Sequence, residues 1–110
     1  MDAIVFINED CLIGSAQQKQ LLYNFLRVKG LKTVKLNPFQ LYTHYTNFHA
    51  LLFDLRQHSR HVNMLIIYSN ECAEDFIKTY PARWLLIKSF FKEVVFLQDV
   101  YIPSNHDNLG

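Results

Sequence analysis

Apolar residues recur along this chain with two different periods, and the switches between them mark out alternating strands and helices. The runs AIVFI at residues 3–7 and MLIIY at residues 64–68 are apolar at every position, as in parallel strands covered on both faces. Between them the spacing changes to three and four. Leu21, Leu22, Phe25 and Leu26, with Val28, mark one face of a helix that Ser15 is placed to cap and Gly30 to stop. Residues 33–36 predict a second strand, closed by Asn37-Pro38. The aromatic segment 39–45 reads as a loop or an irregular turn. Phe48, Leu51, Leu52 and Leu55 predict a helix over 46–59. A third strand covers 63–68 and a short helix 71–80. Pro81 then opens a further helix, which is expected to bury Trp84, Leu85, Ile87 and Phe91, with Leu86. Residues 94–97 complete the pattern as a fourth strand.

Strands alternating with helices over short loops predict an α/β fold, a three-layer sandwich on a mostly parallel sheet of four to five strands. The 110 residues suffice for one domain with a real core, expected over 1–102. The polar end, PSNHDNLG at 103–110, reads as a flexible tail.

Composition narrows the partners. The net charge of +1 lacks the basic excess of a dedicated nucleic-acid binder. Charged residues are only 19% of the chain, below the usual quarter, which leaves room for an apolar contact patch. Two cysteines, Cys11 and Cys72, each follow a predicted strand. They are placed to be neighbours, but make neither a disulfide framework nor a zinc-ligand spacing, and read as reduced thiols. The N-terminus has no basic region of a signal peptide, and no apolar run reaches membrane-spanning length. The expectation is a cytoplasmic protein with no membrane partner.

In open α/β sheets, ligands and chemistry collect just past the carboxyl ends of the strands. For the strand at 63–68 that place holds Ser69, Asn70, Glu71 and Glu74. No Lys or Arg occurs between Arg60 and Lys78, so these side chains offer nothing to hold a phosphate.

The order of elements and several segments resemble the catalytic domain of serine recombinases, the resolvase/invertase family. FINEDCLIGSAQQKQLLYNFLRVKG at 6–30 is similar to that family's first strand and glutamine-bearing helix. LLFDLRQHSRHVNMLIIYSNECAED at 51–75 is similar to its leucine-bearing helix, basic turn and following strand, and KEVVFLQD at 92–99 to a later strand. The likeness spans about 3–99 and implies a resolvase-like fold. In that family a serine hydroxyl attacks a DNA phosphodiester while arginines hold the phosphate. Carried over, the first-strand arginine falls on Asn8 and the serine on Asp10, or on Cys11 after a shift of one. The Asp-Arg pair falls on Asn70 and Glu71, and a later arginine on Glu74. Three guanidinium positions are thus an amide and two carboxylates, which repel a phosphodiester. The chain ends at Gly110 without the family's long dimerisation helix or its DNA-binding domain. The resemblance therefore implies the fold without the activity: a pseudoenzyme with no catalytic residues and no cofactor.

Other constellations stand beside this one. Glu9, Asp10, Asn70, Glu71 and Glu74 would suit a hard cation if they converged, which makes a small metal-dependent hydrolase the alternative; separate solvated carboxylates are the commoner arrangement, and no metal ligand set is assigned. Cys11 lies in a strand-to-helix turn but has no evident general base, so an unreactive half-buried thiol is expected. A receiver of two-component signalling would need Asp54 at a strand end as its phosphoacceptor, whereas its neighbours predict an exposed helix residue. A pseudo-receiver, a signalling relay without phosphorylation, stays as a further alternative. Arg56, His58, Arg60 and His61 complement the carboxyl end of a helix. Phe39, Tyr42 and Tyr45 are rich for a loop, and Trp84 and Phe90 lie too far round a helix to share one face. These five are the candidate protein interface. The resulting expectation is a non-catalytic, regulatory protein-interaction module that self-associates or binds a protein, as an accessory or inhibitor of a partner or of a DNA-bound complex.

Overall fold

The structure, a computed structural model, describes residues 1–100, so the tail expected at 103–110 lies outside the described residues. The chain is α/β with a mostly parallel sheet. Its strands are β1 (Asp2–Phe6), β2 (Lys32–Thr33), β3 (His44–Tyr45), β4 (Val62–Ile67) and β5 (Phe91–Phe96). The helices are α1 (Ser15–Lys29), α2 (Phe48–His58), α3 (Glu74–Thr79), α4 (Pro81–Ser89) and α5 (Leu97–Val100), with a 3-10 turn at Asn70–Cys72. All described strand pairs are parallel, in the order β2-β1-β4-β5. β3 follows β2 along the same edge of β1: Ala3 pairs with Thr33, and Phe6 with Tyr45.

Both faces of the sheet are covered, which is why β1 and β4 are apolar at successive positions. Ile4, Phe6, Leu65 and Ile67 face Leu51, Leu55, Trp84 and Ile87 of α2 and α4. Ala3, Val5, Ile7 and Ile66 face Leu22, Phe25 and Leu26 of α1. The helix ends follow from local chemistry. Asn47 caps α2 by accepting the N–H groups of His49 (2.8 Å) and Ala50 (3.1 Å). Gly30 ends α1 at φ 68°, where a side chain would be strained, and the N–H of Leu31 reaches back to Leu26 O at 2.9 Å.

Several expectations need correction. Gly14, not Ser15, holds the cap position of α1, and Ser15 is its first helical residue. Val28 is exposed, because it lies beyond the stripe that faces the sheet. The second strand is Lys32–Thr33 rather than 33–36, and segment 39–45 ends in a strand of its own. The last strand starts at Phe91, so Phe91 packs from the sheet rather than from a helix. Leu85 and Leu86 are 63% and 44% exposed. Only Trp84 and Ile87, one turn apart, point inward from the nine-residue α4, and the two leucines are rotated off that face.

Candidate functional site

The carboxyl ends of β1 and β4 open into a cleft of about 620 Å³. One wall is the β1–α1 loop, with Asn8, Asp10, Cys11 and Leu12. Opposite stand Glu71, Cys72, Glu74, Asp75 and Phe76, and the start of α2 supplies Thr46, Asn47, Phe48 and His49. None of the lining residues is Lys or Arg, and four are carboxylates.

The loop wall is built around two amides. Gln18, fully buried on α1, donates through Nε2 to the carbonyls of Asn8 (2.7 Å) and Ile13 (2.8 Å). Its Oε1 accepts the Asn8 N–H at 3.1 Å. Asn8 in turn donates from Nδ2 to Cys72 O (2.9 Å), and accepts the Asp10 N–H on Oδ1 (2.8 Å) and the Cys11 N–H on its carbonyl (3.3 Å). The amide that stands where the resemblance expects an arginine is thus a structural latch between the two strand ends. Sequence reasoning missed Gln18. The available signal was a polar residue four positions before Leu22, on the apolar face of α1.

The floor is aromatic. Phe6 stacks on Phe48 at 3.6 Å between ring centroids, and Phe48 meets Phe76 (4.8 Å) and the edge of Trp84 (5.6 Å). His49 stands edge-on to Phe76 (5.1 Å) and to Tyr80 (4.7 Å). The Cys11 and Cys72 sulfurs are 2.6 Å apart at the same floor, so the neighbourhood suggested by their positions after two strands is real. Burial, and next the hydrogen bond with Cys11, push the Cys72 thiol up to about 11.

Of the positions singled out in the sequence, Asn8, Asp10, Cys11, Glu71 and Glu74 converge on this cleft. Asn70 instead lines a separate depression with Trp84 and Phe96, and Glu9 lies on the other side of β1 with Lys19 and His44. Burial there, and next the Lys19 charge, hold His44 below the ordinary imidazole value, against the opposing pull of Glu9. Glu74 is engaged by Lys78 at 2.6 Å. Among the described residues, no three His, Cys, Asp or Glu side chains come close enough to hold a metal ion.

The aromatic interface candidates divide. Phe39 and Tyr42 are exposed, and Phe90 is partly exposed beside His61. Tyr45 and Trp84, expected at the interface, are core residues at 6% and 8% exposure and offer no contact surface. Tyr45 is buried because its strand closes the edge of β1, where its hydroxyl donates to Asp54 Oδ2 at 2.6 Å. Asp54 is therefore a buried residue inside α2, not an exposed one, and it does not sit at a strand end as a phosphoacceptor would.

A second groove, of about 400 Å³, runs between α2 and α4 and is lined by His49, Leu52, Phe53, Arg56, Gln57 and Arg83. Phe53 is 65% exposed there. The only carboxylate on these two helices is the buried Asp54, so their outer surface is cationic. His49 borders both this groove and the acidic cleft. Among the described residues, no helix is long and apolar enough to cross a membrane. Comparison with family models, curated proteins and solved structures returned no match.

Proposed function

We propose that this chain is a non-catalytic interaction module, resolvase-like in fold, that pairs with a second copy of itself through the face shared by α2, α4 and the rim of the acidic cleft. The observation that carries the proposal is the adjacency, across His49, of an acidic cleft and a basic, apolar groove. Patches of opposite charge side by side are self-complementary about a two-fold axis: the acidic patch of each copy meets the basic patch of the other. Among the described residues the ion pairs are Arg60–Asp2 and Lys78–Glu74, which leaves Asp10, Glu71, Asp75, Arg56 and Arg83 with no ionic partner within the fold. Exposed Phe53, Leu85 and Leu86 supply apolar surface to bury. At about 25 cal/mol per Å² the apolar contact outweighs the ion pairs, each of which contributes roughly 0–1 kcal/mol and chiefly sets register and partner choice.

The lack of any Lys or Arg in the cleft supports the non-catalytic half of the proposal, since an incoming phosphodiester would meet four carboxylates and no guanidinium or ammonium group. Sedimentation velocity over a concentration series tests the pairing. The expected result is a reversible monomer–dimer equilibrium that Phe53→Glu moves to monomer. A monomer at every concentration, up to millimolar, contradicts it. Supercoiled DNA is expected to stay intact with or without magnesium, and nicking that depends on Asp10 or Cys11 contradicts the non-catalytic reading.

A further inference from the structure

We propose that Cys11 and Cys72 are a dithiol–disulfide redox site at the floor of the cleft, closed by exchange with a low-molecular-weight disulfide of the glutathione class. Their sulfurs lie 2.6 Å apart, about 0.5 Å beyond the ~2.05 Å of an S–S bond, so little movement separates the contact from the covalent link. The residues belong to different elements, 61 positions apart in the chain, and one residue, Asn8, holds both in place, one through its backbone and the other through its side chain. The Asn8 carbonyl accepts the Cys11 N–H, and Asn8 Nδ2 donates to Cys72 O. Cys72 is fixed further by its N–H on Ser69 O at 3.0 Å.

Their exposures differ in the way a stepwise exchange needs. Cys11 is partly exposed and lines the cleft, whereas Cys72 is buried. The Cys11 thiolate attacks one sulfur of the small disulfide; its S–S bond breaks, a Cys11 mixed disulfide forms, and one small thiolate leaves. Cys72 then loses its proton to solvent and attacks Cys11 Sγ, expelling the second small thiolate. The two protein thiols are oxidised by two electrons, the small disulfide is reduced to two thiols, and two protons end on those thiols. The burial that raises the Cys72 thiol agrees with this order, since Cys72 is the poorer first nucleophile.

The test treats the folded chain with oxidised glutathione, quenches with acid, alkylates under denaturing conditions and measures intact and peptide masses. The expected product has no free thiol, has lost two hydrogen atoms, and yields a peptide cross-linked between Cys11 and Cys72. Cys72→Ser is expected to trap a glutathione adduct on Cys11. Cys11→Ser is expected to leave Cys72 unmodified while the chain stays folded by circular dichroism. Asn8→Ala, which removes the donor to Cys72, is expected to lengthen the life of the Cys11 adduct severalfold in an otherwise wild-type chain. A stable Cys11 adduct in the wild type with Cys72 free overturns the proposal. So does a wild type that keeps both thiols under conditions that modify Cys72→Ser, or one that cross-links only between chains.

Discussion

Gln18 holds Asn8 by both its N–H and its C=O, so a buried helix side chain acts as the missing backbone partner of the loop that leaves β1. This is how the chain turns from its central strand into α1 without a ladder or a glycine-rich turn to satisfy its polar groups. The first wall of the cleft therefore depends on the Gln18 amide as well as on that of Asn8.

Replacing that amide is expected to cost stability out of proportion to its size. Gln18→Leu fills the same space but strands the Asn8 N–H and the Ile13 carbonyl and leaves the Asn8 carbonyl only the Cys11 N–H, at about 2–4 kcal/mol. Gln18→Glu is expected to be at least as damaging, because a carboxylate cannot donate to the carbonyls of Asn8 and Ile13. Urea unfolding of both variants checks this, and a cost below that of an ordinary surface substitution contradicts the latch.

Tyr45 and Asp54 tie the edge strand β3 to α2 with a buried hydrogen bond of 2.6 Å. Tyr45→Phe leaves the carboxylate short of its donor and is expected to destabilise by about 1.5–3 kcal/mol. Burial, and next the bond to Asp54, raise the Tyr45 phenol well above the ordinary tyrosine range. A group whose folded value is raised contributes stability that is complete below the unfolded value of about 10 and is lost as pH climbs toward the folded one. Ultraviolet titration is therefore expected to leave one tyrosine un-ionised until alkaline unfolding, and Tyr45→Phe to remove that late step.

Asp2 joins the start of β1 to β4. Its Oδ1 accepts the N–H (2.9 Å) and Nδ2 (2.8 Å) of Asn63, and its Oδ2 meets Arg60 at 3.2 Å. The Asn63 N–H is the main cause holding the carboxyl below its ordinary value, against a raising effect of burial. With a depressed folded value the stabilisation is present above the unfolded value of 3.8 and is lost as pH falls through the folded one. Asp2→Ala is expected to cost about 1 kcal/mol at neutral pH, and the gap from wild type to close as pH falls through the lowered folded value. Arg60→Ala is expected to cost at most ~0.5 kcal/mol, because that pair is solvent-screened. Paired thermal melts across pH measure both.

How far the sequence discloses this fold depends on how far each feature is local. β1 and β4 are plain because burial on both faces forces unbroken apolar runs, and α1 is plain because Leu22, Phe25 and Leu26 sit one turn apart. β2 and β3 have two residues each and carry no periodicity, so only their pairing with β1 reveals them. The place of the cleft is legible because topology gathers strand ends. Its chemistry was less legible, since Gln18, Asn8 and Cys72 meet across 10 and 64 positions of chain. The apolar outer surface of α4 at Leu85 and Leu86 is not legible in the sequence, where both read as core. A run of four apolar residues around Trp84 does not say which pair faces the sheet until the length and placement of α4 are known.

The reach of the two opposite patches is best tested by reversing each. Arg56→Glu with Arg83→Glu makes one chain acidic on both, and Glu71→Arg with Asp75→Arg makes another basic on both; all four side chains are exposed and lie outside the core. In a two-fold pair each variant would set like charge against like at two places, whereas a mixed pair restores both attractions. Sedimentation equilibrium of each variant alone and of their equimolar mixture is the direct measurement. The account predicts monomers for each variant alone and a one-to-one heterodimer for the mixture. Variants that each dimerise as the wild type does, or a mixture that stays monomeric, contradict it.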